Sequence, residues 1–153
     1  MKRASIILNI LLFVILMGNG DNILAQDAPR PNHIALYVFD LTKSAAFYKD
    51  VMKFSEIPEP FHDSKHVWLR TGEHTQLHLI QGATEVFRHD INSHFAYAVK
   101  DLQAFIKHLE KNHIKYGNWK GDSKSPQLRP DGVKQIYLQD PDNIWIEIND
   151  DRF

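Results

Sequence analysis

The sequence predicts an α+β fold built from two βαβββ modules, and three observations predict it. First, a nine-residue pattern occurs twice. His33-Ile34-Ala35-Leu36-Tyr37-Val38-Phe39-Asp40-Leu41 and His94-Phe95-Ala96-Tyr97-Ala98-Val99-Lys100-Asp101-Leu102 both fit H-x-A-x-x-V-x-D-L, with five identities in nine positions at an offset of 61. Second, each copy begins as a strand rich in β-branched, aromatic and aliphatic residues and passes through Asp-Leu into a helical pattern. Third, short strands separated by turn residues follow each helix. Self-similarity at a fixed offset is the mark of a duplicated structural unit.

The first strand of each half runs from His33 to Val38 and from His94 to Val99. Asp40 and Asp101 then fall where a carboxylate caps the free N–H groups of a helix start, a role Thr42 or Ser44 can share. The first helix is expected near Thr42–Met52, with Ala46, Phe47 and Val51 in an apolar stripe. The second is expected near Leu102–Asn112, with Leu102, Phe105, Ile106 and Leu109 at helical spacing. In the first half, strands are expected near Phe54–Ile57, Val67–Thr71 and Thr75–Gln81, with Gly72-Glu73-His74 as a turn. In the second half they are expected near Lys115–Trp119, Val133–Gln139 and Ile144–Asn149. Asp140-Pro141-Asp142-Asn143 makes the last turn: Pro presets one φ, and Asn tolerates φ > 0. The modules span 31–82 and 92–150, joined by Gly82–Asn92, which is too short to link independent domains.

Residues 1–26 read differently. Lys2 and Arg3 precede an apolar run from Ile6 to Met17, and a small polar segment ends in Ile23-Leu24-Ala25-Gln26. This is the layout of a secretory signal peptide, and a run of about 12 residues is shorter than the roughly 20 that a membrane span needs. Cleavage after Ala25 or Gln26 is expected, giving an exported protein, periplasmic or secreted, with no stable membrane span. With no cysteine in the chain, position +1 cannot be lipidated, and disulfides, thiolate metal sites and a cysteine nucleophile are excluded.

The remaining 127 residues suit a single domain with a core of its own. They carry 16 basic and 18 acidic residues, which is not the basic footprint of a nucleic-acid binder.

Any metal must therefore sit on histidine, carboxylate or water. A duplicated unit folded about a pseudo-twofold axis brings matched residues together. His33 matches His94. Trp145-Ile146-Glu147-Ile148-Asn149 overlies Gln76-Leu77-His78-Leu79-Ile80 in the phase of a strand, so Glu147 matches His78. The quartet His33, His78, His94 and Glu147 interrupts otherwise apolar strands. A Glu between two isoleucines is costly to bury without a partner, and a metal ion is one such partner. Imidazole with carboxylate suits divalent Zn, Ni, Co, Mn or Fe, with positions left open for substrate. The alternative for each is an ordinary strand residue, hydrogen-bonded or facing solvent, and His78 can equally pack as ligate. His62, His66, His74, His89, His108 and His113 are read as surface residues. Gly121–Gly132 is a long loop with Lys124, Arg129 and Lys134 at or near its end. Arg129 is its best partner for an anionic ligand, although the loop can also be simply solvated.

These residues resemble the vicinal-oxygen-chelate (glyoxalase/bleomycin resistance/dioxygenase) superfamily. The opening motif with Ser44 and Phe47-Tyr48, and the closing Tyr137-Leu138-Gln139-Asp140-Pro141-Asp142 with Trp145-Ile146-Glu147-Ile148, carry the likeness over residues 31–150. The resemblance implies a cup-shaped mixed sheet holding a divalent metal that a small substrate chelates through vicinal oxygens. It puts metal ligands at His33, His94 and Glu147, with His78 at a position that is Glu in glyoxalase I and Gln in the epimerases. That departure argues against glyoxalase I itself. Export likewise argues against glutathione and CoA thioester substrates. Lys53 stands where the family often has Gly, and Asn143 where Gly commonly follows Asp-Pro-Asp.

Three functions stay open. One is a metal-dependent lyase or isomerase with Glu147 as the nearest base. Another is a non-heme iron extradiol-type dioxygenase. The third is a small-molecule (antibiotic) binding protein without catalysis. Such modules pair either within a chain or across a homodimer, and spacing does not decide between these.

Overall fold

The computed structural model describes residues 29–152. The expected signal peptide, residues 1–26, lies outside the described residues. The first module runs β1 (His33–Val38), α1 (Leu41–Ala46), a π-helical turn (Phe47–Val51), β2 (Ser55–Ile57), β3 (His66–Arg70) and β4 (Gln76–Gln81). The second runs β5 (His94–Ala98), α2 (Leu102–Lys111), β6 (Tyr116–Gly117), β7 (Gln127–Leu128), β8 (Lys134–Gln139) and β9 (Trp145–Asn149). Each module forms its own mixed sheet, ordered β1-β4-β3-β2 and β5-β9-β8-β6, with β7 pairing β8.

The two halves repeat in detail. Asp40 accepts from the backbone N–H of Lys43, and Asp101 from that of Ala104, so both helices are capped by the aspartate of the repeated motif. β1 lies parallel to β4 with Ala35 opposite His78, and β5 parallel to β9 with Ala96 opposite Glu147. The matching of His78 with Glu147 is therefore a matching of sheet positions.

Alternation along each strand decides what is buried. Leu36, Val38, Leu69, Leu77 and Leu79 turn inward from the first sheet, and Ile136, Leu138, Ile146 and Ile148 from the second. Together with Tyr48, Val51, Leu102, Ile106 and Leu109 they make one apolar cluster. The opposite faces carry His33, Tyr37, Trp68 and His78 on one sheet, and Gln135, Tyr137, Glu147 and Asn149 on the other.

The strands lie within a residue or two of expectation, while two elements were not foreseen. The loop expected over Gly121–Gly132 contains β7. The helix expected near Thr42–Met52 is α-helical only as far as Ala46 and widens into a π turn. That turn carries Tyr48, whose hydroxyl donates to Asp140 at 2.8 Å. Beside it, Asp142 accepts the Ser44 hydroxyl at 2.9 Å and the Phe39 N–H at 2.8 Å. The Asp-Pro-Asp turn of the second module thus grips the strand–helix corner of the first. Asn143 at φ 62° supplies the left-handed residue this turn requires.

Candidate functional site

The quartet divides into two pairs, one on each sheet. Among the described residues no group of three or more His, Asp or Glu side chains lies close enough to hold a metal ion. His33, His94 and Glu147 are thus not gathered into one such group among the described residues of a single copy. The physical reason is that the two modules form separate sheets, so each pair stays on its own pair of strands.

On the second sheet His94 and Glu147 face each other, with His94 Nε2 3.4 Å from Glu147 Oε2. The His94 Nδ1 lies 2.7 Å from the carbonyl oxygen of Ile91, which can only accept, so Nδ1 carries a proton. In the neutral ring Nε2 then presents a lone pair toward the carboxylate. Glu147 is 5% exposed. Its Oε2 accepts from the Tyr137 hydroxyl at 2.7 Å and its Oε1 from the Asn149 amide at 2.7 Å. Arg129 lies above them, with one guanidinium nitrogen 3.5 Å from Glu147 Oε1 and the other bonded to Asp131. Burial, and then its bond to Glu147, raise the Tyr137 pKa well above the ordinary phenol value, so its hydroxyl keeps its proton.

On the first sheet the rings of His33 and His78 stack, with centroids 4.3 Å apart, and Trp68 stacks on the other face of His78 at 4.0 Å. The His33 Nδ1 is bonded to the side-chain oxygen of Asn32 at 2.7 Å, as the His94 Nδ1 is bonded to a carbonyl. The His78 Nε2 is bonded to Gln76. Burial, with His33 and His66 nearby, lowers the His78 pKa and favours the neutral ring. His78 thus has its packing role here, sandwiched between two flat neighbours. His66, expected at the surface, instead stacks on Phe61 and bonds Asp63.

The two faces differ in cover. On the second sheet the segment from Trp119 to Arg129 folds over the floor: the Trp119 ring packs edge-on to Tyr137 at 5.6 Å, and Arg129 reaches Glu147. On the first sheet the same kind of face is open, and Tyr37 is 64% exposed.

The donor atoms of this pair are of the kind a divalent ion takes. A His nitrogen and a carboxylate oxygen, each about 2.0–2.1 Å from a tetrahedral ion, lie roughly 3.4 Å apart, the separation seen between His94 and Glu147. The second nitrogen of His94 is tied to a carbonyl, as a metal-binding imidazole's is. Within one copy the pair supplies two such donor atoms.

Tyr137 and Asn149 were not singled out from the sequence. The signal was present in strand phase, since Tyr137 lies directly opposite Glu147 in the β8–β9 register and Asn149 is two residues along the same face.

Known proteins agree with this architecture. The sequence profile of the Glyoxalase/Bleomycin resistance protein/Dioxygenase superfamily matches residues 30–148. The uncharacterized protein YwbC of Bacillus subtilis (strain 168) is 28% identical over 126 residues, covering 78% of this chain and 96% of that one. Among solved structures, lactoylglutathione lyase from Agrobacterium tumefaciens superposes with a TM-score of 0.61 at 19% identity, over 81% of this chain and 95% of the other. Oxidase ChaP-H2 superposes with a TM-score of 0.67 at 16% identity, over 82% and 96%. These structural likenesses concern the fold. On the span and agreement of the sequence match, the chain belongs to the Glyoxalase/Bleomycin resistance protein/Dioxygenase superfamily.

Proposed function

We propose that this protein is a metal-dependent enzyme of the glyoxalase-like class, a lyase or isomerase acting on a small substrate that offers two adjacent oxygens. We further propose that its metal is held by His94 and Glu147 of one copy together with His33 of a second copy. The observation that carries this reading is the 3.4 Å separation of His94 Nε2 and Glu147 Oε2, with Nδ1 already committed to a carbonyl.

The edges of the sheets support the second copy. β1 and β5 are the outer strands of their sheets and have no neighbour on the far side among the described residues. His33 opens one of these strands and His94 the other. An uncovered apolar edge strand invites pairing with another chain. Tyr37, Phe39, Val86 and Phe87 are exposed on β1, just after it and in the joint, and such apolar surface marks an interaction face.

A divalent ion bound there would act as a Lewis acid on a chelated oxygen. The chain's own residues would do the rest. Tyr137 and Asn149 fix one carboxylate oxygen each, so the orientation of Glu147 is set before substrate arrives. If Glu147 can leave the metal, its carboxylate is the nearest base for a substrate proton. Arg129, shared between Glu147 and Asp131, is the cation nearest to an anionic group on it. Trp119 and the loop around it keep water from the floor.

Metal analysis of the purified protein, beside His33→Ala and His94→Ala, tests the reading. Stoichiometric zinc, nickel, cobalt or manganese in the wild type, lost in both variants, is the expected result. Iron together with oxygen consumption would instead favour the extradiol-type dioxygenase. Equal and negligible metal in all three proteins would leave only a binding role. Export belongs to the same proposal: protein recovered outside the cytosol should begin at Gln26 or Asp27.

A further inference from the structure

A cleft of about 800 Å³ lies between the joint and the loop that follows β6. Its walls include Trp119, Trp145, Arg88, His89, Asp90 and Lys120. An adjoining hollow of about 480 Å³ shares Gln139 and Trp145 with it, so room continues past the end of β9. Clefts of a few hundred to 1,000 Å³ suit small molecules.

The cleft is built in advance. The Trp145 indole N–H donates to the carbonyl of His89 at 3.0 Å, and the Asn143 amide to that of Phe87 at 3.2 Å. These two bonds pin the joint against the β8–β9 end, so a ligand would not have to order it. Trp145 is the register partner of His94 and lies on the same face as Glu147 two residues on. Trp119 packs against Tyr137, which donates to Glu147. Both indoles therefore lead directly to the residues of the site.

The chemistry of the walls is specific. Two indoles offer flat apolar faces on which a planar ring stacks. Arg88 and Lys120 are exposed cations at the rim. The one carboxylate among them, Asp90, accepts at Oδ1 from the Asn92 backbone and side chain at 2.8 and 2.7 Å and lies under the charge of Arg88. Cations outnumber carboxylates there, and an acid group on the ligand is matched.

We propose that this cleft binds a planar aromatic acid, its ring against Trp119 and Trp145 and its carboxylate at Arg88 and Lys120. The substrate class of the enzyme is then an aromatic acid whose other end carries the adjacent oxygens. That second statement rests on the metal reading, whereas the binding itself does not.

The test uses the full mature protein stripped of metal with a chelator, so that binding in the cleft is read apart from chelation. 2-Naphthoate is titrated by calorimetry and by quenching of tryptophan emission, with cyclohexanecarboxylate and 2-naphthylmethanol as acid-only and ring-only controls. The expected result is saturable binding of 2-naphthoate, at least tenfold weaker binding of either control, and a tenfold or greater loss in the Arg88→Ala/Lys120→Ala double variant. Quenching should persist in Trp68→Phe, since that residue lies on the other sheet. No saturable binding, equal binding of cyclohexanecarboxylate or 2-naphthylmethanol, or an undiminished affinity in the double variant overturns the proposal. Metal content, measured separately, reports on the other reading whichever way this one falls.

Discussion

Asp142 accepts the hydroxyl of Ser44, which stands 98 residues earlier in the chain, at 2.9 Å, with both side chains buried. The same carboxylate takes the Phe39 N–H at 2.8 Å. Asp142→Ala leaves the buried Ser44 hydroxyl and the part-buried Phe39 N–H without this partner, and a loss of about 2 kcal/mol is expected. Urea denaturation of the variant measures it. A loss below about 1 kcal/mol would mean that water replaces the carboxylate at little cost.

Its neighbour Asp140 makes stability depend on pH. Burial lifts this carboxyl above its ordinary value of 3.8, against the opposing pull of Tyr48 and two backbone N–H groups. A folded pKa above the unfolded one means the native state keeps a proton that the unfolded chain releases. The contribution of this group is therefore complete below 3.8 and declines as pH rises through the higher folded value. Asp140→Asn mimics the protonated acid. Its stability relative to wild type should improve between acid and neutral pH, read as the difference in urea midpoints. A difference that runs the other way with pH would contradict the assignment.

Lys53 holds φ 62° at the end of the π turn, and its side chain is exposed. A residue with a Cβ is strained there, and glycine is not. Lys53→Gly is expected to stabilise the protein by about 0.5–1 kcal/mol, after allowing for the greater freedom glycine has when unfolded. A lowered thermal midpoint would show that the lysine repays its strain through contacts of its own.

Mixing two defective proteins separates a site shared between copies from one within a chain. His33→Ala and Glu147→Gln would each remove one of the proposed ligands. In a mixed dimer one of the two shared sites would draw His33 from one copy and Glu147 from the other. With random pairing about a quarter of the wild-type metal should return after the two are co-refolded. No recovery, with both variants folded and dimeric, would remove the second copy from the site.

Much of this was legible in the sequence because it lives in local periodicity. Asp40 and Asp101 recur at the same offset and cap their helices in the same way, and alternation placed His78 and Glu147 on matched strands. What was missed depends on distant geometry. Tyr137 meets Glu147 only through the register that the Asp-Pro-Asp turn sets between β8 and β9. Arg129 was legible as a cation for an anionic group, but its approach to Glu147 and the packing of Trp119 on Tyr137 show only in the folded chain. The division of the quartet into pairs had no local signature either. Duplication says which residues correspond, and says nothing about whether the corresponding faces meet in the same molecule.

The π turn from Phe47 to Val51 holds one residue more than an α-helical path would. Deleting a single position between Phe47 and Val51 would let the helix continue regularly and swing every later side chain by about 100°. Val51 and Met52, both buried, would then be turned out of the core.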